Sequence, residues 1–288
     1  MGGMEPLRIL SIGAHPADIF DQSGGTMAHH IERGDWVGCC VLTHGVRIHD
    51  QVIVNEMFYK KEIPDADTLS QLMEERSDVK SQEVRRACER LGVKDVYFFG
   101  ADDAVLLPNE ATVRRLASLI RELRPHVILT HHPYEMGEFW FAHSTTGQIV
   151  LLAMELAQSV DPGDKNRAHK VTQVYFWGQG ATGLPRTSLD TQRTFYNDVC
   201  IDITDVIEKK LACMDELVSQ GYNGDYARKR IEASDGAHGV AGRVAYAESF
   251  ISYRMQVHRY LPVSERNLEM DRSSELDVRQ KYSYRIKV

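Results

Sequence analysis

Two side chains on one short turn, His15 and Asp18, offer an imidazole nitrogen and a carboxylate oxygen three residues apart in Ala14-His15-Pro16-Ala17-Asp18-Ile19-Phe20-Asp21-Gln22-Ser23-Gly24-Gly25-Thr26. Donors of those two types at that spacing are half of a site for a divalent metal, and Gly24 and Gly25 would let the backbone pass close to whatever they hold. His143 would complete a two-histidine, one-carboxylate set, suited to a catalytic zinc or another divalent metal with one position open to water. Such a metal brings the pKa of its water from about 15.7 toward roughly 7, so that hydroxide is at hand at neutral pH.

The elements around the turn should bring these donors to one sheet edge. An apolar run over 8–12 reads as a first strand, 24–33 as a helix ended by Gly34, and 36–42 as a second strand, a β-α-β opening. A polar loop over 43–50 follows, then a stretch over 51–72 without clear periodicity, an insertion able to cover the site. Apolar spacing predicts helices over 74–91 and 111–123, with a strand over 95–99 and a turn over 100–103 between them. A strand over 126–130 leads into the polar stretch that ends at His143, before a helix over 144–159. Strands over 170–177 and 198–203, a helix over 205–219 with Lys209 and Lys210 on its exposed side, and helices over 226–233 and 245–258 follow. The last two are separated by a glycine-rich loop over 234–242. Strands alternating with helices predict one α/β domain over 1–262, a Rossmann-like, mostly parallel sheet covered on both faces. In such a sheet ligands bind at the strands' carboxyl edge. The charged tail over 263–288 reads as an arm toward a neighbouring subunit, and a homo-oligomer is expected.

Composition narrows the partners. The 288 residues carry a formal net charge of −7 with Lys and Arg scattered, which argues against nucleic acid or an anionic membrane as the main partner; a small-molecule substrate is the expectation. Five cysteines (Cys39, Cys40, Cys88, Cys200, Cys213) without CxxC spacing suggest neither a disulfide framework nor a cysteine-zinc site. With no membrane-length apolar run and no signal-like start, a cytoplasmic location is the expectation.

The pattern AHPxDxxxxxGGT, with a later loop ending in His143 at a helix start, resembles the PIG-L/LmbE superfamily of metal-dependent enzymes. The resemblance spans about residues 7–255, up to the AExF-like Ala247-Glu248-Ser249-Phe250. It implies that His15, Asp18 and His143 bind zinc. Deacetylases of that superfamily carry an aspartate just before the ligand aspartate as general base, where this chain has Ala17. They also carry a histidine three residues before the last ligand, where this chain has Trp140. Loss of a general base costs on the order of 10²-fold to 10⁴-fold in rate.

The 4-oxalomesaconate hydratase branch also has alanine at that position, and the chain is similar to it in Val96-Tyr97-Phe98-Phe99, around Arg124-Pro125-His126, and over 201–210. That branch has Gly-Glu-Arg where this chain has Gly45-Val46-Arg47. Water addition to an unsaturated oxo-carboxylic acid needs a hydroxide source, a proton donor at carbon and a cation for the carboxylate. Arg47 is the candidate carboxylate clamp, or else a surface arginine. His49, His131, His132, Glu135 and Glu138 are the local candidates for acid or base. His238 and Arg243 would approach from the glycine-rich loop, or face solvent. Trp140 is either a loop anchor or an aromatic wall for substrate. The expected function is thus a zinc-dependent hydratase. Amide hydrolysis of an N-acyl amino sugar with a relocated base, or a catalytically silent metal pocket, are the alternatives.

Overall fold

The computed structural model describes residues 5–60, 62, 64–134, 141–178, 197–284 and 286. β1 (Arg8–Gly13), α1 (Asp18–Arg33) and β2 (Trp36–Thr43) form the opening β-α-β unit. α2 (Val46–His49), α3 (Gln51–Phe58) and α4 (Ala66–Leu91) precede β3 (Asp95–Ala101), α5 (Glu110–Leu123), β4 (Val127–Thr130), α6 (Ala142–Gln158) and β5 (Gln173–Trp177). Then come β6 (Val199–Asp202), α7 (Ile207–Met214), α8 (Gly224–Gly242), β7 (Ala247–Ser252), α9 (Glu265–Asp271) and α10 (Glu275–Tyr282). Among the described residues no helix is long and apolar enough to cross a membrane.

The strands join in the order β3-β2-β1-β4-β5-β7-β6. Neighbours from β3 through β5 are parallel, and β7 runs antiparallel to both β5 and β6. Alternation along each strand divides the core in two. Ile9, Val37, Cys39 and Val41 face a cluster with Met27 of α1, Val84 of α4 and Leu211 of α7. Leu10, Ile12, Cys40 and Leu42 face one with Leu116 of α5 and Val150 of α6. Helices therefore cover both faces, as a parallel sheet requires. The chain builds outward from β1 to β2 and β3, then returns to lay β4 on the other side of β1. Connections leaving β1 and β4 diverge there, the arrangement at whose carboxyl edge open α/β sheets bind their ligands.

Several elements differ from the sequence expectations. α1 starts at Asp18, not at residue 24, and Ser23 leaves helical geometry at φ −147°, ψ 17°. Glu248 of β7 restarts the helix by accepting Gly25 N–H at 2.9 Å and Thr26 N–H at 2.7 Å. The space left by Gly24 and Gly25 is taken by Lys210 and Ile203, so those glycines serve packing against α7 and its approach. The stretch over 51–72 is largely helical: Asp50 caps α3 and Asp65 caps α4. Lys210 is buried, its Nζ donating to Asp21 O at 2.6 Å and to Glu248 and lying 2.8 Å from Asp235, while its neighbour Lys209 stays exposed and pairs with Glu32. The helix expected over 205–219 ends at Met214, residues 234–242 are helical, and residues 247–252 are a strand. Gly239 explains part of this, because a Cβ there would stand 2.4 Å from Ala245 O; only glycine lets α8 lie so close to the chain entering β7. Of the tail, Val278 and Ile286 are buried.

Candidate metal centre

His15 leaves β1, Asp18 opens α1, and His143 is the second residue of α6. His15 Nδ1, Asp18 Oδ2 and His143 Nε2 form a triangle with sides of 3.3, 3.1 and 3.5 Å. Local bonds hold its corners. Asp18 Oδ2 accepts His15 N–H at 2.6 Å, and Thr43 Oγ1 donates to Ala14 O at 2.7 Å, tying the turn to the end of β2. Gly45, at φ 64°, admits Pro16 so closely that a Cβ there would lie 2.7 Å from Pro16 Cδ. One turn along α6 from His143, Gly147 rests on the backbone after β4, where a Cβ would meet His131 O at 2.4 Å. That contact seats α6 and with it His143.

Two more imidazoles close around the triangle. His131, directly after β4, donates from Nε2 to Asp18 Oδ2 at 3.0 Å. Its ring stacks on His143 at 4.1 Å and 14° and meets Trp177 edge-on at 4.4 Å. His49 stands 4.4 Å from His15, ring to ring, and its own nitrogens make no hydrogen bond to any described residue. Burial alone would raise the Asp18 carboxyl, but the charges of His143, His15 and His131 outweigh it and hold it well below the usual carboxylate range. Burial lowers His49 to about 4, so it is neutral at physiological pH. Beneath it the buried Lys80 donates to His49 O at 3.3 Å and to Ser219 Oγ at 3.1 Å. Burial lowers Lys80 to about 8 against the opposing charge of Asp50.

The donor set fits a divalent metal. Bonds of about 2.0–2.2 Å in a tetrahedron put ligand atoms roughly 3.3–3.5 Å apart, which the triangle's sides match closely. Two imidazoles and a carboxylate suit zinc and its neighbours. His15 Nε2, on the far side of that ring, is buried without a hydrogen-bond partner among the described residues. An imbalance of this kind costs about 1–3 kcal/mol, and it lies outside the triangle, which Nδ1 of the same ring completes.

The remaining sequence candidates are spread more widely. Arg47 lies on α2, half exposed, with Nε 2.6 Å from Asp102. His132 is buried against Phe176 and accepts Tyr134 N–H. His238 is buried inside α8 and not on a loop, and Arg243, in the left-handed region at the end of that helix, pairs with Glu275 of α10. Glu135, Glu138 and Trp140 lie outside the described residues. Sequence reasoning passed over Asp103, which pairs with His44 at 3.1 Å and accepts the N–H groups of Arg47 and Ile48, fixing the turn that delivers His49. Its place in the polar turn ending β3 was the available signal. No local signal marks Trp177, Tyr222 or Arg230, which reach this region only through the fold.

Comparison with known proteins identifies the chain's relatives. Over 225 residues the chain is 27% identical to 4-oxalmesaconate hydratase of Pseudomonas putida KT2440, covering 75% of each. It is 29% identical over 202 residues to 1D-myo-inositol 2-acetamido-2-deoxy-alpha-D-glucopyranoside deacetylase of Thermomonospora curvata, 63% of this chain and 62% of that protein, less than two-thirds of its length. The crystal structure of GalB, the 4-carboxy-2-hydroxymuconate hydratase of P. putida KT2440, superposes with a TM-score of 0.66 at 23% identity, covering 89% of this chain and all of that one, a likeness of fold. Residues 10–154, half of the chain, match the family profile PIG-L, described as GlcNAc-PI de-N-acetylase. With the sheet order and the histidine-aspartate triangle already in view, that match gives the protein its family: the chain belongs to PIG-L.

Proposed function

We propose that the protein is a divalent-metal-dependent hydratase that adds water across the C=C bond of a small unsaturated oxo-carboxylic acid. The observation that carries this reading is position 17. Where the resemblance to deacetylases calls for an aspartate, Ala17 is 1% exposed and belongs to the apolar cluster under the sheet. No carboxylate stands there to serve amide hydrolysis. The 27% identity to a hydratase supports the same choice.

His15, Asp18 and His143 would hold the metal, with His131 orienting Asp18 through its hydrogen bond. A divalent ion bound there polarises an oxo group and lowers the pKa of water beside it. The neutral His49 faces this centre with a free lone pair on one ring nitrogen. It suits the transfer that hydration requires, taking a proton from water and returning one to the neighbouring carbon.

Metal analysis of the purified protein should give about one ion per chain, lost on His15→Ala. Metal-loaded protein incubated with unsaturated oxo-acids should then bleach their conjugated absorbance, and His15→Ala should not. Acetate release from N-acetyl amino sugars without any bleaching would overturn the hydratase reading in favour of the hydrolytic one. That alternative has the deacetylase relative on its side.

A further inference from the structure

Asp21 follows Asp18 by one turn of α1, which puts their Cβ atoms about 5–6 Å apart on one helix face. Asp18 serves the triangle, whereas Asp21 is gripped by Arg230 of α8. Arg230 Nε lies 3.0 Å from Oδ1 and 3.1 Å from Oδ2, and Nη2 lies 2.7 Å from Oδ2. Only one edge of the guanidinium is used. Its other N–H groups meet no acceptor among the described residues, and the side chain is 36% exposed while Asp21 is 6% exposed. Two phenols stand beside it: Tyr226, one turn earlier on α8, and Tyr222, whose ring lies 5.2 Å from that of Tyr226. Burial raises the Tyr222 phenol, and the charges of Asp21 and then Asp18 raise it further, so it lies within electrostatic reach of both carboxylates. The Tyr222 hydroxyl makes no hydrogen bond to any described residue.

A planar fork with one edge fixed by a buried carboxylate and the other edge open is preoriented for a second carboxylate. We infer that Arg230, flanked by Tyr222, is the carboxylate-binding subsite of the candidate metal centre, taking an acid group of the substrate whose reacting end faces His15, Asp18 and His143. The class of ligand rests on the oxo-acid reading given above. Asp21 is the positioning residue that sets the fork, and Tyr222 adds a hydroxyl donor beside it.

Calorimetric titration of the metal-loaded protein with fumarate, a simple unsaturated dicarboxylate, tests the assignment with metal content measured on every sample. Arg230→Gln should weaken fumarate about 10–100-fold, the loss of one charge-assisted pair, at unchanged metal content. Tyr222→Phe should weaken it by a few-fold. Asp21→Asn breaks the same tether between α1 and α8 but keeps the guanidinium with its orientation loosened, so it should weaken fumarate by about threefold, well short of the loss in Arg230→Gln. Equal losses in Arg230→Gln and Asp21→Asn would show a structural tether and overturn the subsite, as would no loss in Arg230→Gln or no fumarate binding by wild type. Because the readout is binding, fumarate held through Arg230 without turnover of any oxo-acid would sink the hydratase reading and leave the subsite. Turnover indifferent to Arg230 would do the reverse.

Discussion

Ala17→Asp restores the acidic residue of family deacetylases and tests whether position 17 faces the site or the core. Ala17 is 1% exposed within the apolar cluster that also holds Phe20 and Trp177. A carboxyl group placed there has two costly choices. Ionised and unpaired, it pays a penalty of several kcal/mol; protonated, it still leaves a buried polar group unsatisfied at about 1–3 kcal/mol. Asp18 beside it adds like-charge repulsion, and an acidic residue at the start of a helix returns only about 0.3–1 kcal/mol. The balance is a loss of about 2–4 kcal/mol, and at about 2–4 °C per kcal/mol for a large domain, Tm should fall by roughly 5–15 °C. Thermal unfolding of the metal-loaded variant followed by circular dichroism at neutral pH measures this directly. A Tm within about 2 °C of wild type, together with acetate release from N-acetyl amino sugars, would refute the reasoning, since position 17 would then address the metal centre.

Two further outcomes are expected. His131→Phe preserves the ring stacked on His143 but removes the bond to Asp18, so metal affinity should drop about 10–100-fold in a chelator competition; unchanged affinity would mean that His15 N–H alone orients the carboxylate. Asp235 is pushed up to about 7, chiefly by burial and further by Glu248, with Lys210 opposing. A carboxyl raised in the folded state contributes stability that is fully present below its unfolded pKa of about 4 and is lost as pH rises through the folded value. Urea unfolding at about pH 5 and about pH 8 should therefore show the wild type losing ground to Asp235→Asn at the higher pH, and a gap of equal size at both would contradict this.

The triangle of donors is legible in the sequence because His15 and Asp18 share a turn whose neighbours are a buried strand and a helix. His143 opens a helix at the return of the chain to the same edge. The parallel sheet is legible for the same reason, since apolar runs and amphipathic spacing alternate through residue 177. Beyond that point local preference misleads. Residues 245–258 are rich in helix-tolerant side chains, yet 247–252 lie between β5 and β6, where backbone pairing on both sides decides. Three glycines over 236–242 suggest a loop, but two of them mark places where α8 comes close to its neighbours: a Cβ at Gly242 would stand 2.5 Å from Cys200 Sγ. Lys209 and Lys210 are indistinguishable by type. Only the fold, which brings Asp235 and Glu248 to one of them, makes that one a buried charge.

The break in α1 at Ser23 gives two tasks to two separate rods. Behind it, residues 24–33 are bolted to β7 through Glu248 and carry Met27 into the core. Ahead of it, the opening turn presents Asp18 to His15 and His131, and Asp21 to Arg230. The discontinuity gives the two segments different anchors, β7 for the rear one and the partners of the carboxylates for the front one. Because Ile19 and Phe20 share one apolar cluster with Met27, the opening turn is rooted in the same interior as the rear segment while its carboxylate is turned toward His15 and His131.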